Sequence, residues 1–186
     1  PPAQPEPTPD PNDTDELFAI DAMGLEPIEE SSGTFQPPID VSAITECYMQ
    51  GIDCIRRAEW DDAVEHIDRG LELDPLRQHS QTPIALANRG YCQDKLEEYP
   101  QAIESYTLAI ELDPQSEQAF AGLACVYMDV GRPAEALEAG ERAAVIRPDN
   151  PLTHYNIGNA RMAMRDAVGA VESYRQAITL KPGMFH

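Results

Sequence analysis

The chain has 186 residues and a formal net charge of −20, from 33 acidic and 13 basic residues, with a pI near 4.3. Charge of that sign and size argues against nucleic acid or an anionic membrane surface as partner. No apolar run in the sequence reaches the length that spans a bilayer.

The acid is concentrated at the start. Residues 1–40 hold ten Asp or Glu and no Lys or Arg. Residues 1–12, PPAQPEPTPDPN, alternate proline with small or acidic residues and have linker composition. Asp13 with Glu16 then resembles a capping arrangement, and Leu17, Phe18, Ile20 and Met23 follow before Gly24. This predicts a short helix at about 14–23 inside an otherwise irregular, acidic, Pro-rich tail over 1–41. The helix is too short to be stable alone and too apolar for a spacer. It is expected to dock, either on the rest of this chain or a neighbouring copy as an internal ligand at high effective concentration, or on an unrelated protein. Residues 26–40 return to turn chemistry, with Ser31-Ser32-Gly33 and Pro37-Pro38.

From residue 42 onward a motif recurs. It reads GLELDP at 70–75, AIELDP at 109–114, AAVIRP at 143–148 and AITLKP at 177–182. The last three closing prolines are 34 residues apart, and the first precedes the second by 39. Aligning on them gives units 44–77, 83–116, 117–150 and 151–184, with residues 78–82 inserted after the first. Each unit reads as two helices. The first carries a small residue midway, at Gly51, Gly90, Ala124 and Gly158. The second carries one near its start, at Ala63, Ala102, Ala136 and Ala170, and another seven later, at Gly70, Ala109, Ala143 and Ala177. Small residues recurring in one phase imply helices that cross too closely for a side chain to fit, and a period of this length is that of a stacked array. Pro100 and Pro133 suit the first turn of a second helix.

The pattern resembles the tetratricopeptide repeat (TPR) family over residues 44–184. The second unit carries Leu86, Gly90, Tyr99, Ala102, Tyr106, Ala109 and Pro114 in the family's phase. The third carries Phe120, Leu123, Ala124, Tyr127, Ala136, Ala143 and Pro148. The fourth carries Ile157, Gly158, Ala170, Tyr174, Ala177 and Pro182, and the weaker first unit Gly51, Trp60, Ala63 and Pro75. Gln50, Arg89, Gln93 and Arg161 depart from it, each polar where the family is apolar or aromatic. The resemblance implies an all-α, right-handed superhelical solenoid of four antiparallel hairpins with a concave groove, since a hairpin buries its apolar face only against its neighbours.

Chemistry is hard to place. The sequence has no GxSxG, HExxH, Walker loop or Gly-rich phosphate turn, and His66, His79, His154 and His186 sit at no catalytic spacing from a Cys or acid. Cys47, Cys54, Cys92 and Cys125 form no CxxC and read as reduced, mostly buried thiols, which points to a cytoplasmic setting. The chain begins without Met, so a removed export signal stays open. A non-enzymatic chain without metal or cofactor is the expectation.

The resemblance implies that function lies in the concave groove. The candidate peptide-binding residues are Tyr48, Met49 and Ile52 in the first unit and Asn88 and Tyr91 in the second. Cys125 and Met128 follow in the third, and Tyr155, Asn156, Asn159 and Met162 in the fourth. Met adapts to irregular ligands, Tyr offers a wide face with a polar tip, and an Asn amide can both donate to and accept from a peptide backbone. The carboxylate clamp by which some family members bind acidic chaperone C-termini is missing, because Tyr48 and Ile52, or Ala87 and Tyr91, stand where its Lys and Asn belong. The expected function is a protein–protein interaction module that binds an extended or short helical peptide as scaffold, adaptor or co-chaperone. Alternatives are a module that self-associates through an uncapped C-terminal end, and the regulatory part of a larger enzyme.

Overall fold

A computed structural model describes residues 39–182. The expected helix at 14–23, with Leu17, Phe18, Ile20 and Met23, lies outside the described residues. Within them the chain forms eight helices and no strand: α1 (Val41–Arg56), α2 (Trp60–Leu73), α3 (Thr82–Lys95), α4 (Tyr99–Leu112), α5 (Glu117–Asp129), α6 (Pro133–Ile146), α7 (Pro151–Ala163) and α8 (Ala167–Leu180). Each odd helix packs most closely on the even helix after it, giving four antiparallel hairpins. Each even helix also meets the next odd helix, and successive odd helices touch one another, whereas even helices do not. The odd helices therefore line the tighter, inner side of the stack. No described helix is long and apolar enough to cross a membrane.

The hairpin turns repeat one geometry. Ala58, Glu97, Gly131 and Arg165, at the same phase of each unit, all have left-handed backbone, with φ of 60°, 62°, 74° and 65°. The next residue closes the preceding helix: the N–H of Glu59, Glu98, Arg132 and Asp166 donates to the carbonyl of Cys54, Gln93, Tyr127 and Arg161 at 2.7–3.0 Å. This is the six-to-one bond of a Schellman termination. Pro100 and Pro133 occupy the first turns of α4 and α6, as their missing N–H favours.

The recurring small residues sit where helices cross. Ala63, Ala102, Ala109, Ala136, Ala143, Ala170 and Ala177 are all buried. The Tyr106 ring of α4 fills the space between α3 and α5, where a β-carbon on Gly90 would lie 3.0 Å from it and one on Gly122 would collide with it. Replacing Ala102 or Ala136 with Leu is expected to destabilise the array by about 1–3 kcal/mol through overpacking, whereas Ser80→Ala, at an exposed position, should change little. Equal urea midpoints for the three variants would show that the register is wrong.

The polar departures from the repeat pattern are matched by partners. Asp68 of α2 approaches Arg89 Nε at 2.8 Å, to one side of its N–H bond. Arg89 Nη1 donates to Ser105 Oγ at 3.3 Å, and Ser105 donates to Gln93 Oε1 at 2.6 Å. Two units on, Arg161 pairs with Glu141 at 2.9 Å and donates to Ser173 Oγ at 3.1 Å. A buried serine on the second helix thus receives the polar side chain of the first in both units.

The insertion after the first unit is more than the loop its sequence suggests. Asp74 is fully buried and accepts from the N–H of Gln78 at 2.8 Å, the N–H of His79 at 3.0 Å and the Thr82 hydroxyl at 2.7 Å. Thr82 spends its one hydroxyl hydrogen on Asp74, so the Tyr48 hydroxyl 3.1 Å away is the donor to Thr82. His79 is buried, not the exposed or partly packed residue its loop position suggests. Its Nδ1 accepts from the Gln81 N–H at 3.2 Å and its Nε2 lies 3.0 Å from Thr45 Oγ1, which itself donates to the Val41 carbonyl. The ring therefore carries its hydrogen on Nε2.

Candidate functional site: the inner groove

The odd helices present an apolar face to solvent: Met49 on α1, Ile84 and Tyr91 on α3, and Leu152, Tyr155 and Met162 on α7 are all exposed. Between α3, α5 and α7 lies a cleft of about 410 Å³ lined by Tyr91, Gln118, Ala121, Cys125, Leu152 and Asn156, with the Tyr106 ring among its walls. A smaller hollow of about 170 Å³ between α1 and α3 is lined by Tyr48, Met49, Ile52, Ile84 and Asn88.

The sequence candidates divide between these hollows and their walls. Tyr48 is buried, its ring against Gly70 and its hydroxyl on Thr82, so it forms the floor of the smaller hollow. Met49, Ile52 and Asn88 line that hollow, and Tyr91, Cys125 and Asn156 line the cleft. Met128, Tyr155, Asn159 and Met162 line neither, although Tyr155 and Met162 are exposed.

The polar groups are held in place. Asn88 Oδ1 accepts from Gln118 Nε2 at 2.9 Å, linking α3 to α5. Asn156 donates to Cys125 Sγ at 3.2 Å, linking α7 to α5. Asn159 Oδ1 accepts from the Tyr174 hydroxyl at 2.9 Å, and that ring meets Tyr155 at 5.6 Å. Side chains already fixed in one rotamer lose less entropy when a ligand arrives. Tyr91 meets the Trp60 ring at nearly a right angle, 5.7 Å between ring centres, and carries the Lys95 ammonium 5.2 Å from its ring centre.

The charged groups around the cleft set the state of its ionisable side chains. Burial, reinforced by Asp94 and Asp129, pushes the Cys125 thiol up, which keeps it protonated at neutral pH. Burial by itself would lower Lys95, but the hydrogen bond and charge of Asp94 outweigh it and hold the ammonium charged. Deeper in the stack, burial pushes Cys92 up to about 12. Among the described residues no group of His, Cys, Asp and Glu could hold a metal ion.

Sequence reasoning missed the cleft's polar rim. Glu117 takes Arg147 at 2.9 Å, Asn150 Nδ2 at 2.6 Å and the Thr153 hydroxyl at 3.2 Å. Its place at the start of a unit, with Asn150 capping α7, carries no signal in one sequence, because its partners lie at the far end of that unit, Arg147 and Asn150, or in the next one, Thr153.

Tetratricopeptide-repeat models match residues 83–116 and 122–185, together more than half of the chain. The chain belongs to the tetratricopeptide-repeat family. Anaphase-promoting complex subunit 3 of Schizosaccharomyces pombe is 30% identical to this TPR chain over 134 residues, covering 72% of it and 19% of the relative. The array spans 12–28% of the length of the curated relatives it matches. The crystal structure of MamA superposes with a TM-score of 0.69 at 22% identity, covering 77% of this chain and 81% of that one. The first TPR of Spaghetti (RPAP3), bound to the HSP90 peptide SRMEEVD, superposes with a TM-score of 0.63 at 18% identity, covering 68% and 97%.

Proposed function

We propose that this TPR array is a protein-interaction module whose inner groove binds an extended or short helical peptide of another protein, in the manner of an adaptor or co-chaperone. The observation that carries this is the line of exposed Met, Ile, Leu and Tyr side chains on the odd helices, interrupted by asparagines already fixed by Gln118 and Cys125. Apolar hollows select side chains and fixed amides take the peptide backbone. The RPAP3 domain, of the same fold and solved with an HSP90 peptide, supports a peptide as the class of ligand. The chemistry of this groove differs from what an acidic peptide end needs, since Lys95 is tied to Asp94 at 3.1 Å. The preferred ligand is accordingly apolar and not acid-terminated. The free thiols Cys47, Cys54, Cys92 and Cys125 go with a reducing, cytoplasmic setting.

The test takes a peptide recovered with the full chain by pull-down and measures it by titration calorimetry. Asn88→Ala with Asn156→Ala is expected to weaken it by about 10- to 100-fold, the cost of lost hydrogen-bonding partners at about 1–3 kcal/mol. The peptide SRMEEVD should bind far more weakly than the recovered one. Unchanged affinity in the double variant removes the backbone-clamp reading.

A further inference from the structure

The cleft between α3, α5 and α7 holds a buried polar group that the fold itself does not use. Tyr106 is 2% exposed and walls the cleft, yet its hydroxyl makes no hydrogen bond among the described residues. Tyr174, at the same repeat position in α8, donates its hydroxyl hydrogen to Asn159 Oδ1 at 2.9 Å. A buried hydroxyl without a partner is costly, so its position calls for an explanation. Gly122 supplies the access. It lines the same cleft, and a β-carbon on it would lie 2.5 Å from the Tyr106 hydroxyl oxygen. The units on either side carry Asn88 and Asn156 in the phase of Gly122. An asparagine here would cover the phenol, whereas glycine leaves it open to the cleft.

The groups around this hydroxyl favour a cation. Gln118 donates from Nε2 to Asn88, which leaves its Oε1 as a second acceptor in the cleft. At one rim the charge of Arg147 is cancelled by Glu117 at 2.9 Å. At the other end, Asp94 and Asp129 stand one helical turn beyond Tyr91 and Cys125, which line the cleft. Asp94 has one ion pair, to Lys95 at 3.1 Å, and Asp129 has no ion pair or hydrogen bond among the described residues. Burial and the charge of Asp94 push the Asp129 carboxyl up, with Lys95 offsetting part of this. The two carboxylates therefore repel, and a further positive charge nearby relieves them. Tyr91, Ala121 and Leu152 give the cleft apolar walls that suit the methylene stem of a lysine or arginine.

We propose that this cleft takes a basic side chain of the bound peptide, whose cationic head donates hydrogen bonds to the Tyr106 hydroxyl oxygen and Gln118 Oε1 in the field of Asp94 and Asp129. The proposal rests on the groove being a peptide site and names the side chain that the site selects.

A library of random heptapeptides, selected on the full chain, tests it. Binders to the wild-type chain should share lysine or arginine at one position. Selection on Tyr106→Phe or on Asp129→Asn should lose that preference while still returning binders. For one selected peptide, replacing the basic residue with norleucine should weaken binding to the wild type about tenfold, and to either variant about threefold or less. Circular dichroism establishes that both variants are folded, and Asp129 is exposed, so its variant serves should Tyr106→Phe unfold. Binders without a favoured basic position overturn the proposal and leave the peptide reading standing. A basic preference unchanged in either variant also overturns it, because attraction to the acidic chain at large would then be its source. A library that yields no binder overturns both readings.

Discussion

Tyr106→Ala is expected to lower the stability of the array by about 3–5 kcal/mol, the range for removing a large buried side chain whose cavity cannot collapse. The ring is 2% exposed and touches both the helix before it and the helix after it in the stack. Gly90 and Gly122 have no side chain to move into the vacated space, and both lie in helices whose backbones are fixed by other contacts. The phenol contributes mainly through its ring. Tyr106→Phe should therefore cost about 1 kcal/mol or less. Urea unfolding followed by circular dichroism gives both values. Because neighbouring units share this ring, the alanine variant should also broaden the transition, as coupling between the first and second halves of the stack weakens. Equal losses for the Phe and Ala variants would mean that the hydroxyl, not the packing, matters.

Asp74→Asn is expected to cost about 2–4 kcal/mol at neutral pH, because an amide presents a donor to a site that already holds three donors. Burial alone would raise this carboxyl. Hydrogen bonds from Thr82, the His79 N–H and the Gln78 N–H, with the charge of Arg77, outweigh it and hold Asp74 below the usual carboxylate range. The fold thus prefers the ionised form. Stability from a lowered carboxyl is fully present above its unfolded value of about 3.9 and is lost as pH falls through the folded value. The gap between wild type and Asp74→Asn should be constant from pH 7 to about pH 5 and shrink below about pH 4. A gap of the same size at pH 3 would show that the carboxylate charge is not what the site uses.

The hairpins were legible because their signals are local. The closing prolines, the small residues and the prolines in first turns each act within one helix or one crossing that every unit repeats. The left-handed turn residues were not legible, since only Gly131 announces its backbone, and Ala58, Glu97 and Arg165 adopt the same conformation under the force of the packed hairpin. The groove was half legible. Its phase came from the repeat, which put Asn88, Tyr91, Cys125 and Asn156 at a surface, but Tyr48 in the same phase is buried. The insertion brings Thr82 to its hydroxyl and so pulls the ring inward, an effect that spacing within α1 cannot carry.

By itself the sequence determined that this protein is a stack of helical hairpins with an open inner face and no recognisable catalytic constellation. Period and residue size are properties of the chain, and they are enough to specify which helices must cross closely. The tertiary structure alone decided which polar residues find partners: Asp68 with Arg89, Glu141 with Arg161, Glu117 with Asn150, and Asp74 with the insertion. Among the described residues it also packs Ile103 and Ile110 against the core, while Val171 and Ile178 in the same phase are exposed. Most of these contacts join different helices, often of neighbouring units. Whether such a pair meets depends on the angle and offset at which two hairpins stack, and that is set by the summed packing of the interface, not by any residue in it.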